Sequence, residues 1–131
     1  MTTATLSRLS TAPASAVLPA EDLERARAFY TETLGLSVID MPGDQFMVSA
    51  GGGTRVLVYK RARTTAEHTV LTFMLDDIHA AVSDLRTRGV VFEEYDLPGI
   101  KTVDGIADSE GMYAAWFRDS EGNIINIAQM K

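Results

Sequence analysis

The chain has 131 residues, 46% hydrophobic and 23% charged, the composition of one packed domain and not of a disordered segment. Asp and Glu outnumber Lys and Arg by 18 to 12, so the phosphate neutralisation on which nucleic-acid affinity rests is poorly supplied, and no nucleic-acid partner is expected. The lack of cysteine removes disulfides, thiolate metal sites and a cysteine nucleophile, and fits a cytoplasmic location.

Residues 12–16 are small, as at a leader cleavage site, but no apolar stretch precedes them and a signal peptide is not expected. No apolar run approaches the roughly 18 residues of a membrane span. Residues 15–20 read as a strand. Asp22 then caps a helix whose apolar stripe is Leu23, Ala26, Tyr30 and Leu34, and Gly35 ends it. Residues 36–39 read as a strand, followed by a hairpin of 45–50 and 55–60 around Gly51-Gly52-Gly53-Thr54.

Lys60-Arg61-Ala62-Arg63 reads as a solvated linker, after which the order repeats. A strand at 69–75 leads to a helix capped by Asp77, with the stripe Ile78, Ala81, Val82 and Leu85, closed by Gly89. A strand at 90–93, a long connection over 93–112 read as a lid, and a hairpin of 112–117 and 124–129 complete the chain. The two caps are 55 positions apart and the two closing glycines 54. The pattern predicts an internal repeat, roughly 14–60 and 69–129, within a single domain spanning 1–131.

Residues 22–30, Asp-Leu-Glu-Arg-Ala-Arg-Ala-Phe-Tyr, closed by Leu34-Gly35-Leu36, resemble the first-helix signature of the vicinal oxygen chelate superfamily, which includes glyoxalases, bleomycin-resistance proteins and extradiol dioxygenases. Residues 117–123, Phe-Arg-Asp-Ser-Glu-Gly-Asn, resemble that family's C-terminal turn, with serine where proline is usual. The resemblance covers roughly residues 14–129. It implies an α+β fold of two βαβββ repeats forming a cupped, mostly antiparallel eight-stranded sheet with the helices outside, a cavity inside, and a homodimer. It also implies either a metal-dependent enzyme or a metal-free binding protein.

In metal-dependent relatives the ligands stand at equivalent points on four strands. By the repeat alignment these points are Ser15, Leu57, Val70 and Asn126. Leu57 and Val70 have no lone pair, and Ser15 and Asn126 are poor partners for transition metals. His68 shares a face with Val70, but His79 lies beyond the other end of that strand, more than about 20 Å away at 3.3 Å of rise per residue. No metal and no cofactor are expected, although a carboxylate-rich calcium or magnesium site stays open.

Strand alternation places Ala16, Leu18, Val56, Val58, Leu71, Phe73, Leu75, Ile125 and Ile127 on the core face. The cavity face receives Ser15, Val17, Arg55, Tyr59, His68, Thr72, Met74 and Asn126. Of these, Arg55, Tyr59, His68, Thr72 and Asn126 are the candidate ligand-binding residues, a few polar groups on an apolar wall. Each also has an ordinary structural reading: a surface arginine, a core tyrosine, a solvated histidine at a strand start. The sole tryptophan, Trp116, reads as core. No nucleophile and base pair is legible. The residues favour a small-molecule-binding protein or a non-metal enzyme of this fold. A divalent-metal-dependent lyase, isomerase or dioxygenase is the alternative.

Overall fold

The computed structural model describes residues 5–64 and 67–131; residues 1–4, part of the stretch considered above as a leader, lie outside them. The first half runs β1 (Ala16–Ala20), α1 (Leu23–Ala28) extended by a π turn (Phe29–Thr33), β2 (Ser37–Asp40), β3 (Gln45–Ser49) and β4 (Arg55–Lys60). These strands form one sheet in the order β1-β4-β3-β2, with β1 parallel to β4 and the other pairs antiparallel.

The second half runs β5 (Thr69–Met74), α2 (Ile78–Thr87), β6 (Asp96–Leu97), β7 (Ile100–Val103), β8 (Ile106–Ser109), β9 (Met112–Arg118) and β10 (Ile124–Met130). Its sheet has the order β5-β10-β9-β8-β7-β6, again with one parallel pair, β5 and β10. The two sheets approach each other along β1 and β5.

The architecture is the expected α+β fold, with a difference: sheets of four and six strands replace one eight-stranded sheet. The cause lies after α2. The strand expected over 90–93 shrinks to one bridge, Phe92 with Phe117, and the connection beyond it folds into hairpins of its own. Pro98 followed by Gly99 at φ 86° turns the chain between β6 and β7, and Asp104-Gly105, both at positive φ, turns it between β7 and β8. The connection read as a lid is thus an ordered extension of the sheet.

Both helices start on an aspartate whose carboxylate accepts a backbone N–H three residues on, Arg25 for Asp22 and Ala80 for Asp77. From cap to closing glycine the first helix is one residue longer than the second, and a π turn takes up the extra residue, with the Leu34 N–H donating to the Phe29 carbonyl. The slip between the cap spacing and the glycine spacing is therefore a real feature of the backbone.

The core forms where the helices meet the sheets. Every residue assigned to the core face by strand alternation is buried there or packed against it. Ala26 and Tyr30 of the first helix and Ile78 and Val82 of the second are fully covered, whereas Ala81 and Leu85 are only half-buried.

Candidate functional site

The turn between β9 and β10 ties the two halves together. Asp119 accepts the buried Tyr30 hydroxyl at 2.7 Å and the backbone N–H groups of Glu121 and Asn123, while the Asn123 amide donates to the Pro19 carbonyl at 3.0 Å. Glu121 accepts the backbone N–H groups of Glu21 and Asp22 and, through both oxygens, the Arg25 guanidinium. Burial alone would raise the Glu121 carboxyl, but Arg25, the Asp22 N–H and the Ser120 hydroxyl outweigh it and bring it down to about 2. Burial, reinforced by Asp119, pushes the Tyr30 hydroxyl well above its ordinary range. The sequence reading used Asp119, Glu121 and Asn123 only as signature residues. Structurally they fix β10 and β9 relative to β1 and α1.

The sheets' open faces, turned away from the helices, follow from register. In the second half Thr72, Asn126 and Trp116 sit opposite one another in one row across β5, β10 and β9. Trp116 is not in the core cluster: it forms an edge-to-face pair with Tyr95, ring centroids 5.5 Å apart. Leu97, Ile100, Ile124, Glu67, His68 and Thr69 complete a cavity of about 210 Å³ around this pair. Tyr95 is held by Thr102, whose hydroxyl accepts the Tyr95 N–H and donates to Glu94, both at 2.8 Å, and whose own N–H donates to the Tyr95 carbonyl at 2.9 Å. Burial raises the Tyr95 hydroxyl, the Glu93 carboxylate adds to the shift, and Arg118 opposes it. The cavity offers two aromatic rings, aliphatic walls and an imidazole at its rim, a setting for a flat apolar ligand.

The candidate residues divide between the sheets. His68 lines this cavity, and Thr72 and Asn126 continue its row along the sheet. The Asn126 amide is spent on the Ala115 and Ile127 carbonyls, which leaves its Oδ1 as the group it can offer. Arg55 and Tyr59 stand on β4, on the open face of the other sheet, opposite Ser49 and Gln45, and do not line the aromatic cavity. Tyr95 and Trp116 are the residues the sequence reading missed. The register that put Asn126 on the cavity face also puts Trp116 there, its antiparallel partner. Nothing in the sequence pattern marks Tyr95, whose place depends on Thr102 across the hairpin of β6 and β7.

The four points where metal-dependent relatives carry ligands do not fit a bound metal. Asn126 could offer only its neutral carboxamide Oδ1, a weak ligand for a transition metal, Ser15 is exposed before β1, and Leu57 and Val70 have no donor atom. His79 sits on α2 with its ring against Tyr113, on the opposite side of the sheet from His68. Among the described residues no three His, Cys, Asp or Glu side chains come together as a metal group.

The chain resembles several solved structures. UcmS2 superposes with a TM-score of 0.70 at 19% identity, covering 90% of this chain and 97% of its own. TnmS3, an antibiotic-binding protein from Streptomyces sp. CB03234, gives 0.65 at 24% identity, covering 92% and 98%. A lactoylglutathione lyase from Agrobacterium tumefaciens gives 0.63 at 24% identity, covering 91% and 93%. These likenesses establish the fold. No curated protein matches the chain in sequence. No helix among the described residues is long and apolar enough to cross a membrane. The family described as Glyoxalase/Bleomycin resistance protein/Dioxygenase superfamily matches residues 12–127, and with the sheet order and helix placement above, the chain belongs to that superfamily.

Proposed function

We propose that this chain is a cytoplasmic, metal-independent small-molecule-binding protein, one domain built of two repeats, whose ligand is a flat aromatic molecule held in the cavity of the second half. The observation that carries this reading is the Tyr95 and Trp116 pair, 5.5 Å apart, in a cavity of about 210 Å³ with aliphatic walls. Aromatic faces bind flat ligands by stacking at low entropic cost, because neither side chain has many rotamers to lose. His68 at the rim supplies one polar contact for orientation, and Thr72 and the Asn126 Oδ1 can extend the contact along the sheet. One of the structural relatives is described as antibiotic-binding, which accords with a small-molecule-binding role. Thr69 and Tyr95 put hydroxyls in the lining, but among the described residues neither is hydrogen-bonded to a base, which favours binding over covalent chemistry.

The protein is proposed to work as a homodimer. Val17, Ile39 and Met74 lie on the open faces with 54%, 41% and 59% of their surface exposed, apolar area that a second copy would cover. Arg55 and Tyr59 share one of those faces and would then approach the partner's ligand. Calorimetric titration with acridine tests the binding reading. Saturable binding by the wild-type chain that is lost in Trp116→Ala supports it, and equal binding by both proteins refutes it. Light scattering showing only a 14.2 kDa species at micromolar concentration would refute the dimer.

A further inference from the structure

A second cavity lies on the other side of the sheet, where the end of the first helix meets α2. It has a volume of about 200 Å³ and is lined by Leu34, Leu36, Phe73, Ala81, Leu85 and Ile127 among others. A dry apolar cavity of about 150 Å³ is enough to take up benzene. Three features set this one apart from a packing fault. Leu34, the residue whose N–H closes the π turn, forms part of its wall, so the one-residue insertion sets where that side chain sits. Ala81 and Leu85 stay half-buried although they belong to the apolar stripe of α2, because they border this space. One charged side chain, Asp84, lines it at the rim.

Asp84 is incompletely engaged. Its partner is Arg88, whose Nε donates to both carboxylate oxygens at 3.2 and 3.3 Å, long for charge-assisted bonds. The rest of the Arg88 guanidinium reaches across to the first helix, where a Cβ on Gly35 would stand 2.7 Å from Nη1. Glycine at φ 70° both closes the helix and leaves room for that arm. The rim thus presents carboxylate oxygens with accepting capacity beside an apolar chamber. The net charge of −6 also favours a cation over an anion.

We propose that this seam cavity is a second binding site, for a small molecule with an aryl or short alkyl body and one protonated amine. The body fills the chamber and the ammonium pairs with Asp84. The site is separate from the aromatic cavity: Phe117 lines the seam, while its neighbour Trp116 faces the open side. Its existence does not depend on the function proposed above.

The test is an NMR titration of the full chain with 2-phenylethylamine, with 2-phenylethanol as the uncharged counterpart. Saturable shifts should appear at Leu34, Ala81, Leu85 and Ile127, not at Tyr95 or Trp116. Asp84→Asn should weaken the amine about threefold, the worth of a solvent-exposed ion pair, and leave the alcohol unchanged. Ala81→Phe, which fills the chamber, should abolish both, and Trp116→Ala should change neither. Should Ala81→Phe fail to fold, the Asp84→Asn comparison still decides, since that side chain is 63% exposed and its loss leaves the core intact. Non-saturable shifts, shifts centred on Trp116, or equal loss of amine and alcohol affinity in Asp84→Asn would each overturn the proposal.

Discussion

Glu121→Gln should weaken the tie between the two halves of the molecule at neutral pH and remove a specific part of its acid sensitivity. The Glu121 side chain is 2% exposed, and its two oxygens accept the Glu21 and Asp22 N–H groups, two Arg25 donors at 2.7 and 3.0 Å, and the Ser120 hydroxyl. The folded chain holds the carboxyl near 2 against an ordinary 4.5. A depressed folded value means that the stabilisation is present in full above about 4.5 and is lost as the pH falls toward 2. At 1.36 kcal/mol per pH unit the shift corresponds to about 3 kcal/mol. Because the Arg25 side chain is 47% exposed, solvent screening reduces this to about 2 kcal/mol. Glutamine turns one acceptor end into a donor facing other donors, so the neutral-pH loss should be at least that large. Urea unfolding of both proteins from about pH 7 down to pH 2 measures it. The stability gap should be about 2 kcal/mol or more at pH 7 and narrow below pH 4.5. A gap under about 0.5 kcal/mol, or one that does not change with pH, would refute the reasoning.

Tyr30→Phe should cost about 1–2 kcal/mol by removing the buried bond to Asp119. It should also reduce the loss of stability above about pH 10: the unfolded tyrosine ionises there and the folded one, its hydroxyl raised by burial, does not. Ile78→Ala should cost about 2–5 kcal/mol, and Leu85→Ala clearly less, because Ile78 is fully buried whereas Leu85 borders the seam cavity; equal urea midpoints would contradict the packing. Thr102→Val should weaken acridine binding by removing the hydroxyl that holds the Tyr95 N–H, and unchanged affinity in a calorimetric titration would contradict that role. Protein purified without tags or chelators should carry well under one equivalent of zinc, iron, nickel or manganese and keep its melting temperature in EDTA. One equivalent bound, with a large drop on its removal, would overturn the metal-free reading.

Much of the fold was legible because its signals are local. Two Asp caps and two left-handed glycines identified the helices, and side-chain parity along β1, β4, β5 and β10 placed the residues it assigned to the core face correctly. The hairpins after α2 were missed although Leu97-Pro98-Gly99 and Asp104-Gly105 are strong turn signals. The strands between those turns are two to four residues long, too short for alternation to show. In the proposed site, His68 lines the cavity on the face that strand parity gives it, and Trp116 follows from carrying that parity from Asn126 across the hairpin. Tyr95 does not, because it comes after an irregular segment and owes its place to Thr102. Glu121 was equally opaque: a carboxylate reads as surface unless its partners, here a helix start about a hundred positions away, are known.

Trp116 is the only tryptophan in the chain, so its fluorescence reports directly on the cavity proposed to bind ligand. Titration with acridine should quench it saturably at one equivalent per chain, and Tyr95→Ala, which keeps the reporter and removes its aromatic partner, should weaken the effect about tenfold or more. Linear, non-saturating quenching, or identical curves for the two proteins, would contradict the assignment of the ligand site to Tyr95 and Trp116.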